Sequence, residues 1–312
     1  MKVLIVGSGA MGSLFAGKLK QHGVDITLLN RPNSHIKAIQ KTGLQIVEQD
    51  GNLATIDLMV KTNAADLNND YDLILLFVKA FATESVLSNV LPFLSRTTPI
   101  LTLQNGVGNM EKIQKLSPSR NVVVGGTSTG AGIVKPGVVE QRAWGSTFIG
   151  STVPEKHKQL LEQIASLFSA GGIKTHVSEN VQSVIWSKLI VNVAYNGLTA
   201  VTRLTNGEAI RTDEGKELVA KLVTEAVQIA ERKGILLLYD DPINECIRLG
   251  IEEIGKNTSS MLTDVLNKRK TEVEVINGAI VKEGKKHNMA TPYNEMILKL
   301  VYMIENSYEQ RL

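Results

Sequence analysis

The feature that most restricts the fold of this chain is a glycine-rich hexapeptide near its start. Residues 2–6 form a short β-branched run, Gly7-Ser8-Gly9-Ala10-Met11-Gly12 follows directly, and a helical pattern then continues to Gln21. In a strand, GxGxxG, helix arrangement, the glycines permit a tight turn, close approach to a pyrophosphate and close packing of helix on strand. This order predicts an α/β dinucleotide-binding domain of the Rossmann type, with Gly7, Ser8, Gly9, Ala10, Met11 and Gly12 as cofactor-binding residues.

The end of the second predicted strand, residues 25–29, bears on the choice of cofactor. An acidic residue about 20 positions after the glycines would bind the ribose 2′-hydroxyl of NAD. The chain has Asn30 and Arg31 there instead. Because the planar guanidinium of Arg31 suits a 2′-phosphate, NADP(H) is the expected cofactor. The alternative is an arginine that is merely solvated in a loop.

Two further apolar runs predict parallel strands that end beside a ligand. The run from 71 to 78 is followed by Lys79, and the run from 100 to 103 by Gln104-Asn105-Gly106. Ligands of open parallel sheets bind beyond the carboxyl ends of the strands. We therefore expect Lys79 and Asn105 to contact cofactor or substrate.

The second half of the chain changes character. Short runs at 133–134 and 138–139, around a Pro136-Gly137 turn, predict strands that close an edge of the sheet. After a strand near 174–177 the periodicity becomes helical. With 312 residues the chain exceeds a comfortable single core. We therefore expect a Rossmann-type domain over residues 1–179 and an all-α domain over 180–312.

The helix predicted for residues 186–196 opens this second half. Lys188, Asn192 and Asn196 follow one another at i, i+4 spacing and share one face, whereas the residues between them are apolar. A polar stripe on a buried helix needs partners, because an unsatisfied buried amide or ammonium costs a few kcal/mol or more. The stripe is either a structural network that holds a helix pair or a binding site in which Lys188 hands over a proton.

Later polar residues could join that stripe. Asn206 is either a turn residue or a fourth polar group near Lys188. In Thr258-Ser259-Ser260 one serine is expected to cap a short helix, and a hydroxyl directed at the site is the alternative. On the next predicted helix, Glu272 would share an apolar face with residues 275, 276 and 279, so it points inward, while Glu274 faces solvent. A final helix is predicted to begin at Thr291-Pro292, with Thr291 as its cap.

Composition excludes several classes of protein. The 34 basic and 31 acidic residues leave a net charge of +3 without long single-sign runs, so neither a nucleic acid nor an anionic membrane is expected as a partner. The single cysteine, Cys246, excludes an internal disulfide framework and a thiolate metal cluster. No apolar run reaches membrane-spanning length. We expect a cytoplasmic protein without a metal site, and a monomer or homodimer.

Taken together, these residues resemble the ketopantoate reductase family, the 2-dehydropantoate 2-reductases of coenzyme A biosynthesis. The resemblance extends over nearly the whole chain. It is carried by 7–12, Val78-Lys79-Ala80, Gln104-Asn105-Gly106, Gly126-Thr127-Ser128-Thr129, Lys188 with Asn192 and Asn196, Asn206, Ser259-Ser260-Met261-Leu262, Arg269-Lys270-Thr271-Glu272 and Ile276-Asn277-Gly278.

The resemblance implies a role for each matching residue. Lys188 would be the catalytic lysine, with Glu272 beside it serving catalysis and the cofactor. Substrate would be held by Asn105, Asn192, Asn196, Asn206 and Ser260. Cofactor would be held by the glycines, Arg31, Lys79, Asn105 and Glu272. Gly132 is a further cofactor residue by this resemblance, although Thr129-Gly130-Ala131-Gly132 stands where the family often has a His-Ala pair.

The expected reaction is reduction of a small 2-keto acid, 2-dehydropantoate, by NADPH. It needs a hydride at the carbonyl carbon, stabilisation of the developing oxyanion and a proton, and Lys188 can supply both charge and proton. One alternative is a reductase of another branched 2-keto acid. A second is a protein that senses NADP(H) without turnover, which would be expected to lose the inward lysine and glutamate.

Overall fold

The computed structural model describes residues 1–310. Its strands are short, as expected for an α/β sheet. They are β1 (Lys2–Val6), β2 (Asp25–Leu29), β3 (Leu44–Val47), β4 (Leu53–Ile56), β5 (Met59–Lys61), β6 (Leu73–Leu76), β7 (Ile100–Thr102), β8 (Val122–Thr127), β9 (Gly130–Lys135), β10 (Val138–Ala143), β11 (Thr147–Gly150) and β12 (Thr175–Val177).

Helices alternate with the strands in the first half and follow one another in the second. They are α1 (Ala10–Gln21), α2 (Ser34–Thr42), α3 (Thr83–Val90), α4 (Asn109–Leu116), α5 (Pro154–Ala170), α6 (Val181–Thr202), α7 (Asn206–Ala209), α8 (Asp213–Arg232), α9 (Pro242–Glu252), α10 (Ser260–Leu266), α11 (Asn277–Lys286) and α12 (Pro292–Glu305). Short 3₁₀ turns cover Ala64–Asp66, Ala80–Ala82, Leu91–Phe93 and Val273–Val275.

The main sheet has the strand order β5-β2-β1-β6-β7-β8-β11-β12. Its first six strands are parallel, and β11 then pairs antiparallel with β8. The strands β1, β6 and β7 are buried along almost their whole length, which explains their continuous apolar sequences. This order places the loops after β1, β2, β6 and β7 at one edge, and it confirms the predicted Rossmann-type fold.

The hairpin around Pro136-Gly137 does not close that sheet, so this part of the sequence prediction is wrong. Its strands β9 and β10 instead belong to a separate sheet in the order β4-β3-β10-β9. The pairing that builds this sheet joins β10 to β3 in parallel, with Val138 opposite Gln45. Helix α1 packs against all four of these strands as well as against β1. A strand partner so distant in sequence is not encoded by local periodicity.

Contacts divide the described chain into two compact units. The first unit comprises Met1–Gln104 and Asn109–Val181, and the second unit comprises Asn105–Gly108 together with the chain from Gln182 onwards. Each has its own apolar core. The second unit is helical, as predicted. The assignment of residues 1–179 and 180–312 to separate domains stays a prediction.

The N-terminus of α12 is capped differently from the sequence expectation. Thr291 makes no side-chain cap there. The carboxylate of Glu225, buried on α8, accepts hydrogen bonds from the backbone N–H groups of Tyr293 at 2.8 Å and Asn294 at 2.9 Å. It also accepts one from the Asn294 side chain at 2.7 Å. A charge from another helix therefore satisfies the first turn of α12.

Helix α6 is long and apolar enough to cross a membrane by length and composition alone. However, 67% of its most apolar window is buried inside the structure, and the core helix of a soluble protein meets the same criterion. Its burial therefore accounts for its composition.

Candidate functional site

The glycine-rich loop of the first unit leaves no room for side chains at two of its three glycines. Gly7 has φ +104°, and a Cβ there would lie 2.8 Å from the Val78 nitrogen. A Cβ on Gly12 would lie 1.9 Å from the Gly7 carbonyl oxygen. A Cβ on Gly9 would meet nothing within 4 Å. Gly7 and Gly12 thus serve close packing, and the open side at Gly9 suits a dinucleotide pyrophosphate.

The backbone N–H and carbonyl of Ser8 are hydrogen-bonded within the protein, whereas its hydroxyl is not. Its N–H donates to Oδ1 of Asn30 at 3.2 Å, and its carbonyl accepts from the Ser13 hydroxyl at 3.2 Å. Its own hydroxyl is buried and has no hydrogen-bond partner within residues 1–310. Helix α1 begins at Ala10 with no side-chain cap and no acidic residue in its first turn. A hydroxyl without a partner in the described residues, next to a helix N-terminus that has no side-chain cap, could bind an anionic ligand.

Asn30 and Arg31 stand at the carboxyl end of β2, where the sequence places them. The side chain of Asn30 donates to the Arg31 carbonyl at 2.8 Å, which orders the backbone of this turn. The Arg31 side chain is exposed. Neither residue offers a carboxylate to a ribose hydroxyl.

Lys79 lies in the turn directly after β6 and is partly exposed. The backbone beside it is held by Gln104, whose Nε2 donates to the Val78 carbonyl at 2.6 Å and to Oγ1 of Thr83 at 2.9 Å. Sequence reasoning quoted Gln104 only as part of a motif and missed this role. Its position directly after a buried strand is the signal that could have identified it.

Gly132 lies on β9 of the second sheet, opposite Glu140. A Cβ there would approach Cζ of Arg142 to 2.4 Å, so the glycine makes room for that guanidinium. None of these contacts joins Gly132 to the glycine-rich loop. Its assignment to the cofactor stays a prediction.

In the second unit, Lys188 lies on α6 and interacts electrostatically with Glu272. Burial lowers the pKa of Lys188 from 10.5 to about 8, and the negative charge of Glu272 raises it by a smaller amount. The desolvation cost of the ammonium therefore exceeds the attraction of the carboxylate. A lysine in this state changes charge near neutral pH, as proton transfer requires.

Glu272 is buried, as predicted, but the reason given from the sequence is wrong. The residue is not on a helix with 275, 276 and 279; it precedes the turn Val273–Val275, and α11 begins only at Asn277. It is 7% exposed and accepts a hydrogen bond from Nδ2 of Asn105 at 3.5 Å. Glu274 is exposed, as expected.

Asn105 reaches Glu272 because the loop after β7 packs on the turn Val273–Val275. The Val107 N–H donates to the Val275 carbonyl at 3.3 Å. Gly106 has φ +84°, and a Cβ there would lie 2.3 Å from the same carbonyl oxygen. The glycine of Gln104-Asn105-Gly106 is thus required by close backbone contact.

The remaining residues of the stripe extend from Lys188 along α6. Asn192 is partly exposed, yet its Nδ2 is buried without a hydrogen-bond partner within residues 1–310. Asn196 is 6% exposed. An amide that donates to nothing in a helical core favours a ligand over a closed structural network, because a structural network would satisfy it.

The stripe has a member that sequence reasoning missed, Thr199, three residues after Asn196. Its hydroxyl is fully buried and lies 2.7 Å from that of Ser259. Ser259 caps α10 by accepting from the Leu262 N–H at 3.0 Å, which confirms that one serine of this segment is a cap. Ser260 is the exposed first residue of α10. The i+3 spacing from Asn196 could have identified Thr199.

Asn206 begins α7 and holds the segment that leads into α10. Its N–H donates to the Asn257 carbonyl at 3.1 Å, and its Nδ2 donates to the Ile254 carbonyl at 3.2 Å. Its Oδ1 is buried and has no partner in the described part of the chain. Asn206 therefore has a structural contact and one acceptor left for a ligand.

Comparison with known proteins identifies a family over both parts of the chain. The family model described as "Ketopantoate reductase PanE/ApbA" matches residues 3–154, and that of its C-terminal part matches residues 180–305. The chain is 35% identical over 301 residues to the 2-dehydropantoate 2-reductase of Pyrococcus horikoshii, with 96% of each chain covered. It is 32% identical to that of Halobacterium salinarum, with 98% of this chain and 99% of the relative covered.

Solved structures show the same fold. A ternary complex of D-mandelate dehydrogenase with NADH and anilino(oxo)acetate has a TM-score of 0.91 and 32% identity, covering 99% of this chain and 100% of the other. A PanE/ApbA family ketopantoate reductase from Ralstonia eutropha has a TM-score of 0.89 and 28% identity, with the same coverage.

Proposed function

We propose, because this chain belongs to the ketopantoate reductase family, that it reduces 2-dehydropantoate to pantoate with NADPH. The observation that carries the proposal is the interaction of Lys188, on α6, with the buried carboxylate of Glu272, together with an Asn192 amide on the same face of α6 that has no hydrogen-bond partner within residues 1–310. The reaction adds a hydride to the keto carbon and a proton to its oxygen. The cofactor supplies the hydride when bound.

Lys188 is proposed as the catalytic residue that donates the proton. Its ammonium would bind the keto oxygen, stabilise the negative charge that develops there and transfer its proton to it. A pKa of about 8 supports this role, because the group is protonated at neutral pH and releases a proton more readily than an ordinary lysine. Glu272 would orient the ammonium, and Asn105 would hold the Glu272 carboxylate.

The asparagines and Ser260 are proposed to hold the substrate. Carboxamides can donate to a carboxylate and accept from a hydroxyl without adding charge. The buried Nδ2 of Asn192 and Oδ1 of Asn206 are available for these bonds. Asn196 and Ser260 are proposed as further substrate contacts because Asn196 lies on the same face of α6, Ser260 begins α10, and both match the family resemblance.

On the cofactor side, Gly7 through Gly12 are proposed to bind the pyrophosphate and Arg31 the 2′-phosphate, with Lys79, Asn105 and Glu272 as further contacts. The open side of Gly9 and the unpaired hydroxyl of Ser8 support the first assignment. The absence of a carboxylate at Asn30 and Arg31 supports NADPH over NADH.

A second candidate function is suggested by the likeness to D-mandelate dehydrogenase with NADH. This chain would then reduce an aromatic 2-keto acid with NADH. The proton donor and the carboxylate-binding residues would be the same, and only the side-chain pocket and the cofactor would differ. A protein that senses NADP(H) without turnover is disfavoured by the presence of Lys188 and Glu272.

The test is to measure initial rates with 2-dehydropantoate and with phenylglyoxylate, each with NADPH and NADH. We expect the highest kcat/KM for 2-dehydropantoate with NADPH, and a loss of about 10² to 10⁴ in kcat for Lys188→Ala. NADPH binding should survive in that variant. A preference for phenylglyoxylate with NADH would establish the second candidate, and near-native turnover by Lys188→Ala would refute the catalytic assignment.

We further propose a cytoplasmic enzyme that works as a monomer or homodimer. The single cysteine, which is buried and free, supports this location. Sedimentation of the purified protein would determine the oligomeric state.

A further inference from the structure

His35 connects the glycine-rich loop to the second sheet through a chain of hydrogen bonds. The Gly137 N–H donates to Nδ1 of His35 at 3.0 Å, and Nε2 of His35 lies 3.1 Å from Oγ of Ser13. Since Nδ1 accepts a hydrogen bond, the neutral imidazole carries its proton on Nε2 and donates a hydrogen bond from there to the Ser13 hydroxyl. Ser13 then donates to the Ser8 carbonyl at 3.2 Å.

In this series of hydrogen bonds, each group donates to the next one along. His35 is 6% exposed and Ser13 is fully buried, so water does not compete for these bonds. Burial lowers the pKa of His35, which keeps the imidazole neutral at pH 7 and preserves its acceptor at Nδ1. The hydrogen bonds therefore run in one direction, with Gly137 donating to His35, His35 to Ser13, and Ser13 to Ser8.

The end of this chain is a residue of the proposed pyrophosphate loop. The Ser8 peptide is held from one side by Asn30 and from the other by Ser13, which leaves its buried hydroxyl without a partner in the described residues. Two side chains thus fix the backbone of Ser8 while its hydroxyl stays available. This arrangement prepares the loop for an anion before any ligand binds.

His35 also lies four residues after Arg31, in the first turn of α2. Between them, Asn33 caps this helix by accepting from the Ile36 N–H at 2.9 Å. The imidazole therefore links the segment that carries Arg31 to the loop that carries Ser8.

We propose that His35 is a positioning residue for the cofactor: through Ser13 it holds the Ser8 peptide in the conformation that binds the dinucleotide pyrophosphate. The inference rests on the proposed cofactor binding and extends it to a residue that does not itself touch the ligand. The competing view is that His35 only fastens the turn at Gly137, with no consequence for the loop.

Two substitutions distinguish these hypotheses, because each retains one of the two hydrogen-bonding functions of the His35 imidazole. His35→Gln keeps a donor at the position of Nε2 and loses the acceptor for Gly137. His35→Asn keeps an acceptor at the position of Nδ1 and loses the donor for Ser13. We expect His35→Asn to raise the Kd for NADPH about tenfold, and His35→Gln to retain most of the affinity. The measurement is nicotinamide fluorescence titration, with melting temperature as the control for folding.

Ser13→Ala provides an independent variant at a position where alanine favours the helix. It should raise the Kd as much as His35→Asn does, and the double variant should be no weaker than either single one, because both break the same chain. The Kd for NADH should rise by the same factor, since both cofactors share the pyrophosphate. Arg31→Ala should affect NADPH alone.

Equal affinities of His35→Asn and His35→Gln would overturn the inference, as would weaker binding by His35→Gln than by His35→Asn. Additive effects of His35→Asn and Ser13→Ala would also overturn it. If both His35 variants fail to fold, an unchanged Kd for NADPH in Ser13→Ala would refute the proposed positioning role of His35. The titration needs no keto acid, so a wrong substrate assignment would appear only in the turnover assay and not here.

Discussion

At the scale of single residues, the pKa of Lys188 determines when the proposed proton donor is active. Its pKa is lowered to about 8, so the fraction that carries the proton falls as the pH rises through 8. We expect kcat/KM for keto acid reduction to fall above about pH 8, whereas an ordinary lysine would keep its proton to about pH 10.4. The measurement is a pH profile with NADPH saturating. A profile flat to pH 10 would contradict the assignment.

The same shift has a consequence for stability, with the opposite direction in pH. The folded-state pKa of Lys188 lies below the unfolded value of 10.5, so between about pH 8 and 10.5 the unfolded chain binds more protons. This group therefore makes the fold more stable as the pH rises through that window. Because the desolvation cost of the ammonium exceeds its attraction to Glu272, we expect Lys188→Ala to remain folded. Loss of one partner of a dominant buried ion pair would instead destabilise the fold strongly.

Asn192 allows a test of substrate binding with little effect on the fold. Because its Nδ2 has no partner within residues 1–310, Asn192→Ala removes no hydrogen bond made by that atom. We expect the KM for the keto acid to rise about tenfold while the melting temperature and the Kd for NADPH stay close to native values. A large loss of stability with an unchanged KM would instead support a structural network.

At the scale of secondary structure elements, the pair formed by Thr199 and Ser259 joins α6 to α10. Thr199→Val removes the hydroxyl and retains the shape, so α10 and its first residue, Ser260, lose their link to the helix that carries Lys188. We expect a several-fold increase in KM with a smaller change in kcat. Thr202→Val is the matched control, because the Thr202 hydroxyl bonds only to Leu198 on its own helix among the described contacts. Equal effects of the two variants would show that Ser260 does not depend on this link.

Helix α12 depends on Glu225 of α8 for its first turn. Glu225→Gln keeps the size of the side chain but replaces one accepting oxygen by a donor that faces backbone N–H groups. Hydrogen bonds to charged groups contribute about 1.5 to 3 kcal/mol, so we expect the free energy of unfolding to fall by about that amount. Urea denaturation measures it. Glu231→Gln, at an exposed position of the same helix, should have an effect near zero.

At the scale of the whole molecule, cofactor binding should stabilise the folded chain. NADPH at about a hundred times its Kd contributes about 2.7 kcal/mol if it binds only the folded state. We expect a clear increase in melting temperature with NADPH and a smaller one with NADH at equal concentration. Arg31→Ala should reduce the first shift to the size of the second. Lys37→Ala, another exposed cation nearby on α2, is the control and should leave both shifts unchanged.

The sequence alone determined those features whose causes are local. The spacing of Gly7, Gly9 and Gly12 after a β-branched run predicted a tight glycine turn, and the structure contains that turn, in which a Cβ on Gly12 would lie 1.9 Å from the Gly7 carbonyl oxygen. The i, i+4 spacing likewise placed Lys188 and the two asparagines on one face of a buried helix. Both patterns depend only on backbone geometry within a few residues, which periodicity reports directly.

Tertiary structure decided the features that depend on partners distant in the chain. Glu272 is buried by the loop at Gly106, and not by the helical face that its spacing suggested. The strand β10 pairs with β3, and His35 contacts Gly137, 102 positions away in the chain. Whether a buried carboxylate, imidazole or amide finds a partner depends on such contacts, and no pattern within a short window contains them.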